Sequence, residues 1–460
     1  MNKYFNVLIV FLLLVNTTIA QDKPNIIFIL ADDLGIGDIE PYGQQIIKTP
    51  NLQKMADEGM TFSNFYAGST VCAPSRASLL TGQHTGNTQV RGNGEYPLDP
   101  NKKIFPQLLK EAGYQNAIFG KWGMGLKDSG STPKDKGFDR FVGHLHHVDA
   151  HFQRPDSVDV YTGGMSGKMP LDGAYANDVF VEETLRFIKE NAYKNPFFVY
   201  VSLTVPHAEL KLPERYMKEQ LLDGQSIHPD EKSFKGGHYG AQQYPRAAYA
   251  AMVQSIDHYV GQIIAQVKES GIQNNTLVIF TSDNGTHLEG GRRMDDVHYF
   301  QSSGIYRGVK RDLFEGGIRV PFIAHWEGYI APNRQSNHQA AFWDIYPTFA
   351  ELAGITIPSN DPIDGISVVP SWTGKKQKKH PYLYWEFHEF GGKQAVIKGK
   401  WKAVRIDAHK NPDNELMLFN VKKDPDEKRD LSDTKKRKYR KMKQLLDGIR
   451  TENTIFNFRK

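Results

Sequence analysis

Four stretches of the sequence are almost continuously apolar and carry a polar side chain near their end, which limits the fold more than any other feature. They are residues 24–35, 115–123, 196–207 and 276–285. An apolar run of this length is typical of a parallel strand with both faces covered. Because segments of helical periodicity separate the runs, the order predicts an α/β fold, a large, mostly parallel (mixed) sheet sandwiched by helices.

The character of the chain changes after about residue 370. Residues 382–387, 394–397 and 401–404 are short strand-like runs at hairpin spacing, and residues 435–449 are helical. We therefore predict a catalytic α/β domain over 21–370 and a smaller C-terminal subdomain, an antiparallel sheet plus a helix, over 371–460. Within the first part, residues 61–66 and 318–326 are each predicted as one strand, and residues 143–169 as a loop rich in histidine, aspartate and glycine.

The first twenty residues have the pattern of a cleaved signal peptide. Lys3 precedes a nine-residue apolar run at 7–15, and small residues lead to Ala20. The run is shorter than the ~20 apolar residues that span a bilayer. We expect an exported protein, periplasmic or secreted, without stable membrane insertion.

The overall charge favours no single class of partner. The net charge is +5 and 24% of the residues are charged, so acidic polymers are tolerated as ligands. Cys72 is the only cysteine and excludes an internal disulfide. A lone cysteine in an exported chain is a reactive group, an intermolecular partner or a small buried hydrophobe.

The sequence around Cys72 predicts an anion site at the start of a helix. Pro74 is favourable in a first helical turn, and Gly82 is a suitable stop. Such a start directs unpaired N–H groups, the positive end of the helix dipole and Arg76 toward one point. Cys72 is therefore a candidate nucleophile beside a bound anion.

Acidic and amide side chains at two strand ends predict a metal site. Asp32 and Asp33 end the first run, and Asp283 and Asn284 end the last one. These groups offer only oxygen, which Ca²⁺ or Mg²⁺ prefers over Zn²⁺, although an Asp-Asp pair also occurs in solvated turns. Lys121, Arg76 and a later lysine would neutralise an oxyanion there, with His207 as acid or base. Together these residues form the predicted active site.

The motifs together resemble the type I, formylglycine-dependent sulfatases of the alkaline phosphatase superfamily. The segment from Cys72 to Arg76, followed by Leu80-Thr81-Gly82, matches their Cys-x-Pro-Ser-Arg…Thr-Gly signature. The resemblance covers nearly the whole mature chain and includes, in family order, residues 31–35, 120–122, 206–207, 282–285, 310–321, 424–427 and 430–431. It implies an alkaline-phosphatase-like fold.

The resemblance also implies a mechanism and two cofactors. Cys72 would be oxidised to Cα-formylglycine by a formylglycine-generating or sulfatase-maturing enzyme, and the aldehyde hydrate would attack sulfur. Asp32, Asp33, Asp283 and Asn284 match the calcium ligands of the family, and Arg76 matches the residue that supports the formylglycine. Lys121 and Lys310 match its sulfate-binding lysines, and His207 matches a histidine that contacts the sulfate ester.

One position departs from the family pattern. Many members have Gly-Lys-Trp-His, whereas this chain has Gly123 at the last place. We hypothesise that His151, or else His146 or His147, supplies the missing imidazole from the loop after 143, although these can also be surface or substrate-subsite histidines. His287 is a further candidate.

The expected substrate is a sulfated oligo- or polysaccharide, with no nucleic acid partner. This expectation rests on analogy and on the polar segments 143–170 and 207–245, which could form sugar subsites. Two alternatives remain open at this stage. One is a phospho- or phosphonate-monoester hydrolase on the same fold, and the other is a catalytically dead protein that binds sulfated glycans.

Overall fold

The computed structural model describes residues 23–411, 413 and 415–458. The predicted signal peptide over residues 1–20 lies outside the described residues. None of the helices in the described part of the chain has the length and apolarity of a membrane span.

Strands occur along the whole described chain, and ten of them build one sheet. Their bounds are β1 (Asn25–Asp32), β2 (Met60–Phe62), β3 (Phe65–Tyr66), β4 (Gln115–Lys121), β5 (Arg140–His144), β6 (Ser157–Thr162), β7 (Met165–Pro170), β8 (Phe197–Pro206), β9 (Leu221–Leu222), β10 (Gln225–Ser226), β11 (Thr276–Ser282), β12 (Phe322–His325), β13 (Arg334–Ser336), β14 (Ala340–Ala341), β15 (Leu383–Phe387), β16 (Lys393–Lys398), β17 (Trp401–Ile406) and β18 (Met417–Asn420).

The α-helices lie mostly between these strands. Their bounds are α1 (Pro50–Asp57), α2 (Cys72–Thr81), α3 (Phe105–Glu111), α4 (Ala176–Asn191), α5 (Glu214–Met217), α6 (Pro245–Glu269), α7 (Met294–Phe300), α8 (Glu315–Ile318), α9 (Ile345–Leu352), α10 (Val369–Trp372) and α11 (Lys436–Ile449).

The large sheet has the strand order β13-β2-β12-β11-β1-β8-β4-β5-β6-β7. Its centre is parallel, since β1 pairs in parallel with both β11 and β8, and β8 with β4. The strands β12, β6 and β7 are antiparallel to their neighbours. The predicted class, a mostly parallel but mixed sheet, is therefore confirmed.

Both faces of the sheet are covered, as the apolar runs predict. Along β1, Ile26 and Phe28 belong to a core cluster with residues of α2, α3 and α9, whereas Ile27 and Ile29 belong to a second cluster with residues of α1, α4 and α6. Successive side chains of a strand point to opposite faces. The apolar residues at every position from 26 to 31 of β1 are thus required by helices on both sides.

The prediction of a loop over residues 143–169 is right for residues 145–156 and wrong for the rest of the segment. Residues 157–162 and 165–170 form β6 and β7, an antiparallel hairpin at the edge of the large sheet. Its turn contains Gly163 and Gly164, with φ of 56° and 86°, and a Gly-Gly pair at positive φ is typical of tight hairpin turns. The outer strand β7 is almost entirely exposed, so no apolar run marked it as a strand.

Two strands predicted as continuous are interrupted. Residues 61–66 divide into β2 and β3, which belong to different sheets. Residues 318–326 contain the end of the short helix α8 and then β12. In both cases the apolar residues are buried, but the chain turns between them.

The C-terminal part forms a four-stranded antiparallel sheet in the order β15-β16-β17-β18, with α11 beside it. The first three strands and the helix match the prediction, and β18 was not predicted. One face packs on the catalytic part, where Trp385 joins Tyr66 and Trp343 in a core cluster. The other face packs against Met442 and Leu446 of α11.

Candidate active site

The polar side chains predicted at four strand ends meet at one edge of the large sheet. Because β11, β1, β8 and β4 are parallel neighbours, their carboxyl ends lie side by side. The end of β11 leads to Asp283 and Asn284, and the other strand ends supply Asp32, Lys121 and His207. All of these residues are buried.

The turn after β1 brings Asp33 against the end of β11. Asp33 has a φ of 68°, a left-handed conformation that aspartate adopts more readily than most residues. Its backbone N–H donates to Asp283 Oδ1 at 3.0 Å, and Asn284 Nδ2 donates to Asp33 Oδ1 at 2.6 Å. The three carboxylates and one amide therefore form a single cluster.

This cluster has the chemistry of a cation site. Asp32 Oδ1 and Asn284 Oδ1 are buried acceptor oxygens with no hydrogen-bond partner among the described residues. Buried polar atoms are normally paired. Burial first, and then the neighbouring Asp32 charge, raises the pKa of Asp283 to about 7. An oxygen-only set that includes three carboxylates fits a hard cation such as Ca²⁺.

Cys72 is the first residue of α2 and lies beside this cluster. Its Sγ, one oxygen of Asp32 and one of Asp283 lie within 4.8 Å of one another. The residue is 2% exposed, and burial raises the pKa of its thiol. Since the thiolate is the nucleophilic form, unmodified Cys72 is a poor nucleophile in this environment.

Ser75 and Arg76 fix the start of α2 against β11. The Ser75 hydroxyl donates to the Asp283 carbonyl at 2.5 Å and accepts the Gly68 N–H at 3.0 Å. Arg76 donates from Nε to Asp283 Oδ2 at 3.0 Å, and its Nη2 lies 2.9 Å from the same oxygen. The helix ends at Gly82, which has a φ of 70°, as predicted.

Two buried lysines flank the carboxylates. Lys121 Nζ lies 2.6 Å from Asp32 Oδ2, and Lys310 Nζ lies 2.7 Å from Asp33 Oδ2. Burial disfavours both charges, but the paired carboxylates outweigh it and raise the pKa of each lysine above its usual range. Both are therefore cations at neutral pH, as an oxyanion site requires.

His207 is placed between Lys310 and the backbone. Lys310 Nζ donates to His207 Nε2 at 2.9 Å, because an ammonium group has only hydrogens to offer. The ring proton is then on Nδ1, which donates to the Ala208 carbonyl at 2.5 Å. His207 is thus held in one orientation, with Nε2 toward the cluster of charges.

His151 lies in the site, stacked on His207. The ring centroids are 4.0 Å apart and the planes differ by 21°. Its Nδ1 lies 3.3 Å from the Tyr239 hydroxyl, and its Nε2 is buried without a partner among the described residues. Burial first, and then His207, keeps the pKa of His151 far below its usual range. Because a phenol is the better donor, we assign the proton of the neutral ring to Nε2.

The other two candidates from this loop occupy different places. His147 lies next to Gly123, the position that departs from the family pattern, since a Cβ built at Gly123 would be 3.2 Å from the Cβ of His147. Burial, followed by Lys121, lowers the pKa of His147 to about 4. His146 instead pairs with Glu95, and the two atoms, His146 Nε2 and Glu95 Oε1, lie 2.7 Å apart. Gly123 itself has a φ of 67°, so a histidine there would be strained.

His287 is buried behind His207, with ring centroids 5.6 Å apart. Its Nε2 lies 2.9 Å from the Pro206 carbonyl and its Nδ1 accepts the Glu289 N–H at 3.1 Å. Burial, then Arg292, lowers its pKa to about 3, so the ring is neutral. With both nitrogens occupied, its contacts are those of a positioning residue.

Two residues at the site were missed by the sequence analysis. Glu289 Oε2 lies 3.1 Å from His207 Nε2 and 3.3 Å from Lys310 Nζ. Asn93 Oδ1 accepts the Ala73 N–H at 3.2 Å and lies 3.8 Å from Cys72 Sγ. Glu289 follows the Asp283-Asn284 strand end closely and could have been included on that ground, whereas Asn93 has no signal in its sequence context.

The fold and this edge of the sheet define the class of the protein, a hydrolase with the alkaline-phosphatase-like fold. A solved structure of Ps i-CgsB in complex with k-i-k-neocarrahexaose is similar over 93% of this chain and 92% of that one, with a TM-score of 0.76 and 27% identity. The predicted superfamily fold is confirmed.

Sequence comparison then gives the family. The family model described as Sulfatase matches residues 24–355, and the one described as N-sulphoglucosamine sulphohydrolase, C-terminal, matches residues 304–452. The chain is 33% identical to the N-acetylgalactosamine-6-sulfatase of Rattus norvegicus over 84% of this chain and 72% of that protein. It is 29% identical to the steryl-sulfatase of the same species over 78% of this chain and 72% of that protein. The chain belongs to the sulfatase family and is a sulfuric ester hydrolase.

Proposed function

We propose that the protein is an exported sulfatase that removes sulfate from a sulfated oligo- or polysaccharide, using Cα-formylglycine made from Cys72 and a bound calcium ion. The observation that carries this proposal is the position of Cys72. It begins a buried helix beside the oxygen cluster of Asp32 and Asp283. The two buried lysines on either side supply the positive charge that a sulfate ester needs.

Two groups supply chemistry that the encoded side chains lack: the formylglycine hydrate provides the nucleophilic hydroxyl, and Ca²⁺ polarises sulfate oxygens. Asp32, Asp33, Asp283 and Asn284 would hold the ion. Arg76 keeps Asp283 in place through its two contacts to Oδ2.

Lys121 and Lys310 bind the sulfate oxygens in this proposal. Each ammonium group now pairs with a carboxylate, so a bound cation would take over the carboxylate oxygens and leave N–H donors for the ester. Fixed cations at a buried site stabilise developing charge without reorganisation. They also hold the ester in one orientation toward residue 72.

The leaving oxygen of a sugar needs a proton, and two imidazoles lie close enough to the site to give one. His151 carries its proton on an Nε2 that has no partner among the described residues. His207 Nε2 lies 2.9 Å from Lys310 Nζ and 3.1 Å from Glu289 Oε2, so its contacts are those of a group that holds the lysine in place. We therefore assign proton donation to His151, whose Nδ1 takes the Tyr239 hydroxyl proton as Nε2 releases its own so that the ring stays neutral, and sulfate positioning to His207.

A carbohydrate is favoured over a sterol by a hollow next to Gly123. The hollow has a volume of about 180 Å³ and contacts Glu95, Tyr96, His146 and His147. It is smaller than the roughly 300–1,000 Å³ of pockets that enclose drug-sized ligands. One sugar ring, stacked on an aromatic side chain with its hydroxyls near Glu95, suits these dimensions better than a fused sterol.

The test is sulfate release from a panel of sulfated oligosaccharides, steryl sulfate, and matching phosphate and phosphonate esters. The protein should be co-expressed with a formylglycine-generating enzyme, and Cys72→Ala serves as the matched inactive control. We expect release from one or more oligosaccharides, with an aldehyde at position 72 in the intact mass of the tryptic peptide. Preferential phosphate release, or activity with an unmodified thiol, would overturn the proposal.

A further inference from the structure

A large groove lies along the outer edge of the ten-stranded sheet. It has a volume of about 750 Å³ and is lined by β13, by the segment that follows it, and by residues 371–380. The C-terminal sheet closes its far side with Lys400 and Lys422. None of the residues predicted for catalysis lines it.

The groove is strongly cationic. Five exposed cations line it, and among the described residues none of them has a salt-bridge partner: Arg334, Lys375, Lys379, Lys400 and Lys422. No aspartate or glutamate is among the lining residues. The sequence agrees, since residues 365–385 contain four lysines and no acidic residue.

Exposed lysines elsewhere on the protein are commonly balanced by acids. Exposed pairs of this kind include Lys48–Glu40, Lys103–Glu111, Lys110–Asp139 and Lys168–Asp159. Like charges crowded in one cleft repel each other and focus a positive potential within it. A groove without any acid is therefore suited to a ligand that carries several negative charges.

Neutral polar groups alternate with these charges. His338 Nε2 is buried and has no hydrogen-bond partner among the described residues, and burial lowers the pKa of its ring. The groove also contains the amides of Gln335, Asn337 and Gln339. Cations for sulfate groups and amides for hydroxyl groups are the two kinds of contact that a sulfated sugar chain can make.

The groove is separate from the catalytic centre. In the sheet order, β13 is three strand positions away from β11, which ends at the proposed calcium site. With a strand spacing of about 4.8 Å, the two lie about 14 Å apart across the sheet. A monosaccharide held at one site cannot reach the other, whereas a polymer can.

We propose that this groove is a second binding site, for the sulfated chain of a polysaccharide whose sulfate esters the catalytic centre hydrolyses. This inference rests on the proposed carbohydrate substrate. The groove raises the local concentration of polymer by holding part of the chain while the active site acts on another part. It makes no contribution to the turnover of a small sulfate ester.

The test compares two triple variants that each remove three positive charges. Lys375→Gln/Lys379→Gln/Lys400→Gln changes the groove, and Lys435→Gln/Arg437→Gln/Lys441→Gln changes exposed residues at the C-terminal helix. Both are made in the Cys72→Ala background, and the binding of dextran sulfate and of uncharged dextran is measured by calorimetry at several salt concentrations. Binding needs no turnover, so the result does not depend on whether the catalytic proposal holds.

We expect dextran sulfate to bind the groove variant about ten-fold more weakly, with a shallower salt dependence, because three ionic contacts of modest strength are lost. The C-terminal control variant should bind as the parent does. In matured enzyme, the groove variant should raise KM for a sulfated polysaccharide and leave the turnover of nitrophenyl sulfate unchanged.

Equal affinity of the two variants for dextran sulfate would overturn the proposal. Lysines along an edge strand also discourage sheets from pairing edge to edge. If the groove variant self-associates in sedimentation while its affinity for dextran sulfate is unchanged, that protective role replaces the binding role. A single Lys375→Glu variant, with a smaller change to the surface, provides a second measurement of the same affinity.

Discussion

Three carboxylates share the buried end of the central sheet, and their charge is balanced unevenly. Asp32 and Asp33 each pair with a lysine, and these lysines keep the pKa of both carboxyls below the usual range despite burial. Asp283 pairs with Arg76, yet burial and Asp32 still raise its pKa to about 7. Three carboxylates thus face three cations, and the raised pKa marks Asp283 as the carboxylate whose charge is least well compensated, where a divalent ion would add positive charge.

We expect removal of calcium to lower the melting temperature of the wild-type enzyme by a few degrees. A ligand that binds only the folded state stabilises it, by about 2.7 kcal/mol at a concentration one hundred times Kd. Differential scanning fluorimetry with EGTA and then excess Ca²⁺ measures the shift.

The matched variants for calcium removal are Asn284→Ala and Asp433→Asn. Asn284→Ala removes one amide oxygen without changing the charge and should abolish most of the calcium-dependent shift. Asp433→Asn changes an exposed acid and should respond as the wild type does. A wild-type melting temperature that ignores calcium would contradict the proposed site.

His151 and His147 provide a second pair of matched variants. In His151→Ala, kcat for a sugar sulfate should fall by about 10²–10⁴, the usual contribution of a general acid. With nitrophenyl sulfate the loss should be less than about ten-fold, because a good leaving group needs little help from a proton. Steady-state kinetics with both substrates measures the difference.

His147→Ala should raise KM for the sugar sulfate and change kcat little, since His147 lies at the hollow beside Gly123. If His147→Ala shows the leaving-group dependence and His151→Ala does not, the assignment of the proton donor is reversed. A full turnover rate in both variants would remove the imidazoles of this loop from the mechanism.

At the scale of elements, the sequence predicted those strands whose two faces are both buried. In β1 and β11 every residue is buried and most are apolar, so the run itself reveals the strand and its end reveals the site. The hairpin of β6 and β7 was missed because β7 is almost entirely exposed and needs no apolar run. The strand β18 was also missed.

The site was predictable to the same extent as the strands that position it. Residues directly at strand ends, such as Asp32 and Asp283, follow from topology alone. Glu289 follows the end of β11 closely, whereas Asn93 reaches the site from a loop whose position depends on tertiary contacts that no local pattern records. Stacking of His151 on His207 likewise depends on how a loop folds back over the sheet.

A buried carboxylate connects β15 to the catalytic part. The Glu386 carboxylate lies 2.9 Å from the Arg91 guanidinium and 3.0 Å from that of Arg450, and these two arginines are far from each other in the sequence. Although burial raises the pKa of Glu386, His388 and these arginines lower it to about 2. An acid with a depressed folded pKa stabilises the fold above its unfolded pKa, and this contribution disappears as the pH falls.

We expect Glu386→Gln to be less stable than the wild type by about 3 kcal/mol at pH 7, from a pKa of about 2 against an ordinary 4.5. The difference should shrink as the pH falls from about 5 to about 2. Urea unfolding at several pH values measures it, with the exposed Glu415→Gln as control. A difference that is independent of pH would mean that packing, and not the charge, is responsible.

At the scale of the whole molecule, the C-terminal sheet contributes to the active site as well as to the hydrophobic core. Glu389 accepts the backbone N–H of Asn93 at 2.9 Å, and Asn93 contacts Cys72. The same sheet buries Trp343 of the catalytic part. Active-site geometry near residue 72 therefore depends on chain that lies more than three hundred residues further on.

We expect a chain that ends at residue 370, the boundary proposed from the sequence, to be insoluble or unfolded. It would expose Tyr66 and Trp343 and leave Arg91 buried without its partner. Circular dichroism and sulfate release on the fragment provide the test, with the full chain prepared in parallel. A soluble and active fragment would show that the two parts are independent.

The burial of α2 limits when the side chain of Cys72 can be modified. All ten of its residues are buried, including Cys72, so the folded molecule offers no access to an enzyme that would modify that side chain. The proposed conversion of Cys72 would therefore have to precede the docking of this helix, and each newly made chain would have one interval in which to receive it. The yield of active molecules would then be set by a competition between two rates, that of modification and that of folding.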